Sequence, residues 1–198
     1  MKKKKIVILL GHPDTEEILS KDLADAYEKE ALVAGCEIQR FNLAEMQFDP
    51  VLHKGYKVIQ ELEPDLRKLQ EAIRWCDHFV LVYPTWWASM PALLKGLFDR
   101  MWLPAFAFHM RKKKDGTQAL GWKKLLKGKT ARVIVLSGSR PILIYLFFGD
   151  YTNEICRGIL GFAGMRVRLT RVGPTQDCTE NMRTHWCQKI GRLGKRGI

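Results

Sequence analysis

Residues 78–100 read HFVLVYPTWWASMPALLKGLFDR. The first part, residues 78–83, is a short run rich in valine and aromatic side chains, which is typical of a buried β-strand. Pro91 suits the first turn of a helix, and apolar spacing carries that helix to about Met101. The stretch therefore predicts one strand, one connecting loop and one helix in succession.

The same succession recurs on both sides of this stretch. Further strands are predicted at residues 5–10, 37–42, 130–136 and 165–172. Further helices are predicted at about 14–34, 64–76, 150–162 and 180–193. Asp14 or Thr15 is expected to cap the first of them, and Gly35 is expected to end it.

This alternation predicts one α/β domain over residues 1–198. Five apolar strands separated by helices imply a parallel sheet with helices on both faces, a three-layer sandwich with right-handed crossovers. The expected strand order is 2-1-3-4-5, in which a ligand lies beyond the carboxyl ends of strands 1, 3 and 4. Functional residues are therefore expected in three loops, at residues 10–17, 84–90 and 137–149.

The first of these loops carries His12 and leads into a helix. Free N–H groups and the helix dipole favour an anion at such a position, and His12 can donate a hydrogen bond to a phosphate. A purely structural histidine is the alternative.

The other two loops differ in character. Trp86 and Trp87 are adjacent, flat and rigid, which suits contact with a planar ring system; a packed aromatic corner or a dimer contact is the alternative. The small residues of 137–139 let the backbone approach a ligand closely, although an ordinary turn has the same composition.

Charge is distributed unevenly along the chain, whose formal net charge is +12. Residues 1–99 carry 13 Lys or Arg and 16 Asp or Glu, whereas residues 100–198 carry 20 and 5. Such asymmetry indicates nucleic acid, a membrane surface or an anionic ligand. Nucleic acid is not expected, since no zinc-finger spacing or RNA-binding aromatic signature occurs. The five cysteines form no CxxC pair, so neither a disulfide framework nor a metal site is expected.

The amino terminus resembles a signal peptide in part. Four lysines precede the apolar run 6–10, but His12, Pro13 and Asp14 follow too early for a signal sequence. No apolar run approaches the ~20 residues that span a bilayer. The sequence predicts a soluble cytoplasmic protein without membrane insertion.

The motif P-x-x-W followed by P-A-x-L-K-G-x-x-D-R, at residues 84–100, resembles the NAD(P)H:quinone reductase family of the DT-diaphorase type. This family has a flavodoxin-like fold, and it includes small bacterial members and potassium-efflux ancillary proteins. The resemblance covers about residues 5–175. Supporting stretches are GHP at 11–13, FDP at 48–50, LPAFAF at 103–108 and KLLKGK at 124–129.

The resemblance implies a non-covalent flavin, FAD or FMN, with NAD(P)H as electron donor and a quinone-type acceptor. It also implies a homodimer whose active sites lie at the subunit interface. The positions that match the family's cofactor-binding segments are His12, Pro84, Thr85, Trp86, Trp87, Ser137, Gly138 and Ser139. Where the family often has a phosphate-contacting serine, this chain has Glu17. We expect Glu17 to turn outward, Thr15 or Ser20 to substitute for that serine, or flavin binding to be weakened.

The remaining site residues also follow from the resemblance. Phe106 and Phe108 match an aromatic segment that lines the nicotinamide and quinone pocket. Tyr145 matches a tyrosine near the flavin, and an ungapped count places Tyr151 where some members have a proton-transferring histidine, so both are candidate catalytic residues. Arg140 is expected to attract the phosphates of the nicotinamide cofactor.

Three hypotheses for function remain at this stage. The first is an oxidoreductase that passes a hydride from NAD(P)H through the flavin to a quinone. The second is a regulatory or ancillary subunit of a partner, such as a potassium-efflux system, with little turnover. The third is nucleic-acid binding by the basic half.

Overall fold

Five parallel strands form the centre of the molecule, which a computed structural model describes for residues 3–14, 16 and 18–198. The strands of the chain are β1 (Lys5–Leu10), β2 (Glu37–Asn42), β3 (His78–Pro84), β4 (Phe108–Lys112), β5 (Gln118–Lys124), β6 (Thr130–Leu136) and β7 (Arg166–Val172). The α-helices are α1 (Leu19–Val33), α2 (Pro64–Trp75), α3 (Ala92–Met101), α4 (Pro141–Phe148) and α5 (Glu180–Arg196), and a π-helix spans Glu154–Gly161.

The central sheet has the order β2-β1-β3-β6-β7, and every neighbouring pair is parallel. This confirms the predicted order 2-1-3-4-5 and the predicted sandwich, because helices cover both faces. One face packs on α1 and α5, and the other packs on α2, α3 and the π-helix. The three central strands are almost continuously apolar because both of their faces are buried.

A two-stranded antiparallel hairpin, β4–β5, was not predicted from the sequence. Its connecting residues Lys113 to Thr117 are exposed, and its strands bury few side chains. Without a buried face, the hairpin lacks the apolar alternation by which strands are found in a sequence.

Three helices also differ from the predictions. The first begins at Leu19 after an extended Ile18, and the Asp14 carboxylate accepts from the Glu16 N–H (3.0 Å) and not from α1. Thr15, the other proposed cap, lies outside the described residues. The helix predicted at 150–162 begins later and contains the π-helical segment. Within 137–149, predicted as a loop, Pro141–Phe148 is helix α4.

Within the described residues, no helix has both the length and the apolar content needed to cross a membrane.

Candidate functional site at the carboxyl edge of the sheet

Three loops leave neighbouring strands side by side at one edge of the sheet. The N–H of Gly11 donates to the carbonyl of Val82 (2.7 Å), and the N–H of Thr85 donates to that of Leu136 (2.7 Å). The N–H of Ser137 donates to the β7 carbonyl of Val172 (2.9 Å). These bonds extend the strand ladder by one residue, so each loop starts from a fixed position next to its neighbour.

His12 is held by its own loop. Its Nδ1 lies 3.0 Å from the backbone nitrogen and 2.9 Å from the carbonyl oxygen of Asp14. The ring lies edge-on to the Trp86 indole, with 5.7 Å between centroids and 79° between planes. The first two loops are therefore in contact, and both hydrogen bonds of the His12 ring to the described residues are made by Nδ1.

The tryptophan loop contains a tight turn with unusual backbone angles. Trp86 and Ser89 exchange two backbone hydrogen bonds (2.9 and 3.0 Å), and Thr85 Oγ1 donates to the Ser89 carbonyl (3.1 Å). The central residues Trp87 and Ala88 have φ of 53° and 57°, a left-handed conformation that costs a non-glycine residue roughly 1–2 kcal/mol. Backbone strain of this kind concentrates at functional sites. The turn places the Trp87 side chain in solvent, where it is fully exposed (100%).

Hydrogen bonds at Ser137 fix the third loop. Ser137 is buried, and its Oγ donates to the carbonyl of Ser139 (2.9 Å). The N–H of Thr175 donates to the Ser137 carbonyl (3.0 Å). A Cβ at Gly138 would lie 3.3 Å from the Gln176 side chain, a tight contact that favours glycine at this position.

Several backbone donors at this edge have no acceptor in the described part of the chain. They are the N–H groups of Trp87, Ala88, Gly138 and Ser139. Backbone N–H groups fixed by the fold are suitable partners for carbonyl oxygens and for a developing negative charge.

The two candidate catalytic tyrosines have different surroundings. Tyr151 is buried (7% exposed), its hydroxyl has no hydrogen-bond partner among the described residues, and the Arg171 guanidinium lies 5.6 Å from its ring centroid. Burial raises the pKa of Tyr151, and the Arg171 charge offsets part of that effect. Tyr151 is therefore a neutral O–H donor. Tyr145 is half-exposed on α4, and Arg140 is exposed at the start of that helix.

The two predicted pocket phenylalanines lie away from His12 and Trp86. Phe106 is buried (3% exposed), and it packs edge-on to Trp102 with 5.4 Å between centroids. Phe108 lies in β4, packs against Phe162 (5.1 Å) and lines a cavity of about 640 Å³. Within a single chain, Phe106 is a core residue and Phe108 faces a separate cavity.

Sequence reasoning missed the surface of α4. All its residues after Pro141 are apolar or aromatic, and none is buried. The most exposed are Ile142, Leu146, Phe147 and Phe148. An exposed apolar patch of this kind marks an interaction surface. The unbroken apolar run ILIYLFF at 142–148 could have indicated this surface. It lies between the fourth predicted strand and the next predicted helix, a stretch that was predicted to be a loop.

Glu17 and Thr15 lie outside the described residues, so their predicted roles toward a phosphate stay predictions.

Comparisons with known proteins agree with this geometry. A family model described as a flavodoxin-like fold matches residues 4–188. An uncharacterized NAD(P)H oxidoreductase of Haemophilus influenzae is 28% identical over 166 residues, which is 80% of this chain and 78% of that protein.

Two solved structures show the same fold. An NAD(P)H:quinone oxidoreductase from Methanothermobacter marburgensis has a TM-score of 0.78 and 20% identity, with full coverage of both chains. An FMN-dependent NADH-azoreductase from Bacillus anthracis, solved in complex with FMN, has a TM-score of 0.65 and 19% identity over 98% of each chain.

Proposed function

The chain belongs to the family of proteins with a flavodoxin-like fold, and from that premise we propose that it is an NAD(P)H oxidoreductase with a bound FAD or FMN and a quinone-type acceptor. The observation that carries the proposal is the convergence of three different loops at one edge of the sheet. They bring together a histidine side chain, an exposed indole and backbone N–H groups that have no acceptor among the described residues.

The donors present fit a flavin. A flat ring with carbonyl oxygens along one edge needs an aromatic contact and a row of N–H donors, which Trp87 and the backbone of Gly138 and Ser139 supply. A phosphate needs an N–H or cationic donor, which His12 supplies at the first loop. When bound, the flavin supplies the two-electron chemistry, taking a hydride from NAD(P)H and passing it to the acceptor.

The protein's own contribution is position and proton supply. The backbone bonds of the Trp86–Ser89 turn fix the point at which the exposed Trp87 side chain leaves the loop, so the backbone there needs little ordering on binding. Of the two tyrosines, Tyr145 is the one proposed to donate to an acceptor oxygen, because it is half-exposed whereas the Tyr151 hydroxyl is buried within the chain. The exposed Tyr145 and Arg140 on α4 are proposed to face the acceptor and the phosphates of NAD(P)H.

We also propose that the protein is a homodimer, with Phe108 completing the acceptor pocket of the second subunit. The support is an exposed apolar segment beside the Phe108 cavity, in which Val58 is 57% and Ile59 is 88% exposed. A second copy that covers this segment would place Phe108 at an interface. A cytoplasmic location remains a prediction from the sequence.

One spectrum of the freshly purified protein tests the main proposal. We expect the absorbance of oxidised flavin, retained or restored by added FMN or FAD, and bleaching of that absorbance by NADH or NADPH before menadione is added. Protein that stays colourless with both flavins would overturn the proposal. Bound flavin with no NAD(P)H oxidation would instead favour the ancillary-subunit hypothesis.

A variant pair locates the site. Trp87→Ala is expected to weaken flavin binding by about tenfold, since an aromatic stacking contact contributes roughly 0.5–1.5 kcal/mol beyond its buried area. Leu120→Ala is the matched control because Leu120 is 98% exposed on the hairpin, away from the three loops. Flavin fluorescence quenching gives both Kd values. An equal Kd for Trp87→Ala and the wild type would place the flavin elsewhere.

A further inference from the structure

A second cavity, of about 260 Å³, lies at the opposite edge of the sheet, where the parallel strands begin. It is lined by the first residues of β3, β6 and β7, by Lys4 before β1, and by Ile198 after α5. The three loops of the proposed flavin site leave the other ends of these strands. This cavity therefore belongs to a separate part of the molecule.

Buried polar atoms without partners lie in or close to this cavity: His78 lines it, and Arg132 and Tyr27 are neighbours of its lining residues. His78 is 2% exposed, and its Nδ1 lies 2.7 Å from Thr130 Oγ1, but its Nε2 has no partner in the described chain. Arg132 is 6% exposed and donates from one terminal nitrogen to Thr170 Oγ1 (3.3 Å), while its Nε has no acceptor. The hydroxyl of the fully buried Tyr27, whose ring stacks on His78 at 6.5 Å, is also unpartnered.

These atoms lie among positive charges. Arg132 pairs in register with Arg168 on the adjacent strand, so both side chains stand on the same face of the sheet. Lys4 and Arg168 line the cavity, and neither they nor Arg132 form an ion pair with a described Asp or Glu side chain. Burial lowers the pKa of His78 to about 3, and the charges of Lys4 and Arg132 act in the same direction.

Three cationic side chains line this cavity, those of Lys4, Arg166 and Arg168, and the buried Arg132 lies beside Arg168 on the adjacent strand. The Nε2 of His78 adds an unpartnered polar atom to the same cavity. The group that would satisfy them is a compact anion with several acceptor oxygens, and arginine guanidinium groups bind a phosphate well because their N–H donors match its oxygens.

We propose that this cavity binds a phosphoryl group, either free phosphate or a phosphomonoester, through Arg166, Arg168 and Lys4. The Nε2 of His78 supplies a further polar contact, and the charge of Arg132, beside Arg168 on the adjacent strand, adds to the attraction. The proposal does not depend on the flavin or on the oxidoreductase activity.

Calorimetric titration with sodium phosphate, at ionic strength held constant with sodium chloride, tests this site. We expect one saturable site in the wild type, and a Kd raised by about tenfold or more in Arg168→Gln, because a hydrogen bond to a charged group contributes roughly 1.5–3 kcal/mol. Arg168 is exposed at its outer end, so the variant is expected to fold. Arg192→Gln, an exposed arginine of α5 that does not line the cavity, should bind phosphate as the wild type does.

Phosphate could also bind at the loop of His12, so His12→Ala is titrated in parallel. Unchanged binding in His12→Ala supports the new cavity, and lost binding there would overturn it. Heats that match a chloride titration, or an Arg168→Gln variant with wild-type affinity, would also overturn it. Glycerol phosphate and AMP are titrated as phosphomonoesters. Tighter binding than phosphate identifies an organic ligand, and equal binding identifies the free ion.

Arg132→Met separates a contribution of charge to phosphate binding from a structural role. In phosphate-free buffer we expect this variant to melt at or above the wild-type temperature, because it removes a buried cation that has no ion pair among the described residues. Added phosphate should raise the melting temperature of the wild type more than that of Arg132→Met. A variant that melts well below the wild type without phosphate would show that Arg132 stabilises the fold, and would overturn the proposal.

Discussion

Two arginines are buried on opposite faces of the same sheet, and their partners differ sharply. Arg100, on α3, is 1% exposed and donates to both carboxylate oxygens of Glu63 (3.0 Å each) and to the carbonyls of Glu61 (2.8 Å) and Asp49. Arg132, on the α1 and α5 face, has one hydrogen bond to a threonine. Burial alone therefore does not distinguish an arginine that stabilises the fold from one that is proposed to act on a ligand. The hydrogen-bond partners of the guanidinium group make that distinction.

The difference has a structural reason. The connection between β2 and α2 has little regular structure of its own, and Arg100 fixes it to α3 by binding its backbone carbonyls and Glu63. Arg132 lies within β6, whose backbone is already held by β3 and β7. Its side chain is therefore not needed to hold any segment in place.

Replacement of each arginine by methionine should give the largest effect and the clearest test of this comparison. Arg100→Met leaves Glu63 and two carbonyls without their donor, and we expect a loss of about 3–5 kcal/mol in the free energy of unfolding. Arg132→Met should show no such loss in phosphate-free buffer. Urea denaturation followed by circular dichroism measures both, and equal losses would show that the two arginines have the same role.

His78 gives the next largest effect, through pH. Its pKa is about 3 in the folded chain because of burial and neighbouring cations, against about 6.5 when unfolded. Between these values the unfolded chain binds a proton that the folded chain does not, so stability should fall as the pH falls, by at most about 1.4 kcal/mol per pH unit.

His78→Asn should remove most of that slope between pH 6.5 and 5, since asparagine does not titrate. Unfolding experiments at several pH values in a phosphate-free buffer measure the slope. His109→Asn, an exposed histidine of the hairpin, is the control and should keep the wild-type slope. An unchanged slope in His78→Asn would mean that His78 is not responsible for it.

Glu63 should give the smallest effect, on the Arg100 side. Burial acts to raise its pKa, but hydrogen bonds from the Asp49 N–H and from Arg100 outweigh this and hold the pKa below its usual value. A lowered carboxylate pKa stabilises the fold above the unfolded value, and this contribution is lost as the pH falls below about 4. Glu63→Gln should therefore be less stable than the wild type at pH 7, by about 1 kcal/mol, because the amide keeps one of the two acceptor oxygens.

The difference in the free energy of unfolding between Glu63→Gln and the wild type should become smaller as the solution is acidified to pH 3. Urea denaturation at pH 7 and at pH 3 measures this difference. Glu71→Gln is the control, because this exposed residue of α2 makes no ion pair among the described residues. A difference in the free energy of unfolding that stays constant with pH would contradict the conclusion that the charge of Glu63 stabilises the fold.

The sheet could be predicted from the sequence because each central strand is a short apolar run that can be recognised without knowing which strands lie next to it. Strand β6 was predicted with both of its ends, and the strand order was predicted because 2-1-3-4-5 is a common order for five parallel strands covered by helices on both faces. The hairpin β4–β5 was not predicted, since it buries few side chains. Helix α4 was missed because it is apolar all round, so no helical periodicity distinguishes it.

The candidate site was predictable as a set of loops and not as a set of contacts. The contact between His12 and Trp86 requires two loops more than 70 positions apart to meet, and only the sheet order brings them together. The sequence shows an arginine inside the apolar strand TARVIVL, but it does not show that Arg132 lacks an acidic partner. That absence depends on which residues β7 and α5 place beside it.

The full exposure of Trp87 gives the molecule a built-in optical probe. Its indole is surrounded by water, so its emission lies at longer wavelength than that of the buried Trp102, and a collisional quencher such as iodide reaches it first. A molecule seated on the turn would shield this indole from iodide. Binding of a ligand at the three loops can then be followed by fluorescence, even for ligands that absorb no visible light.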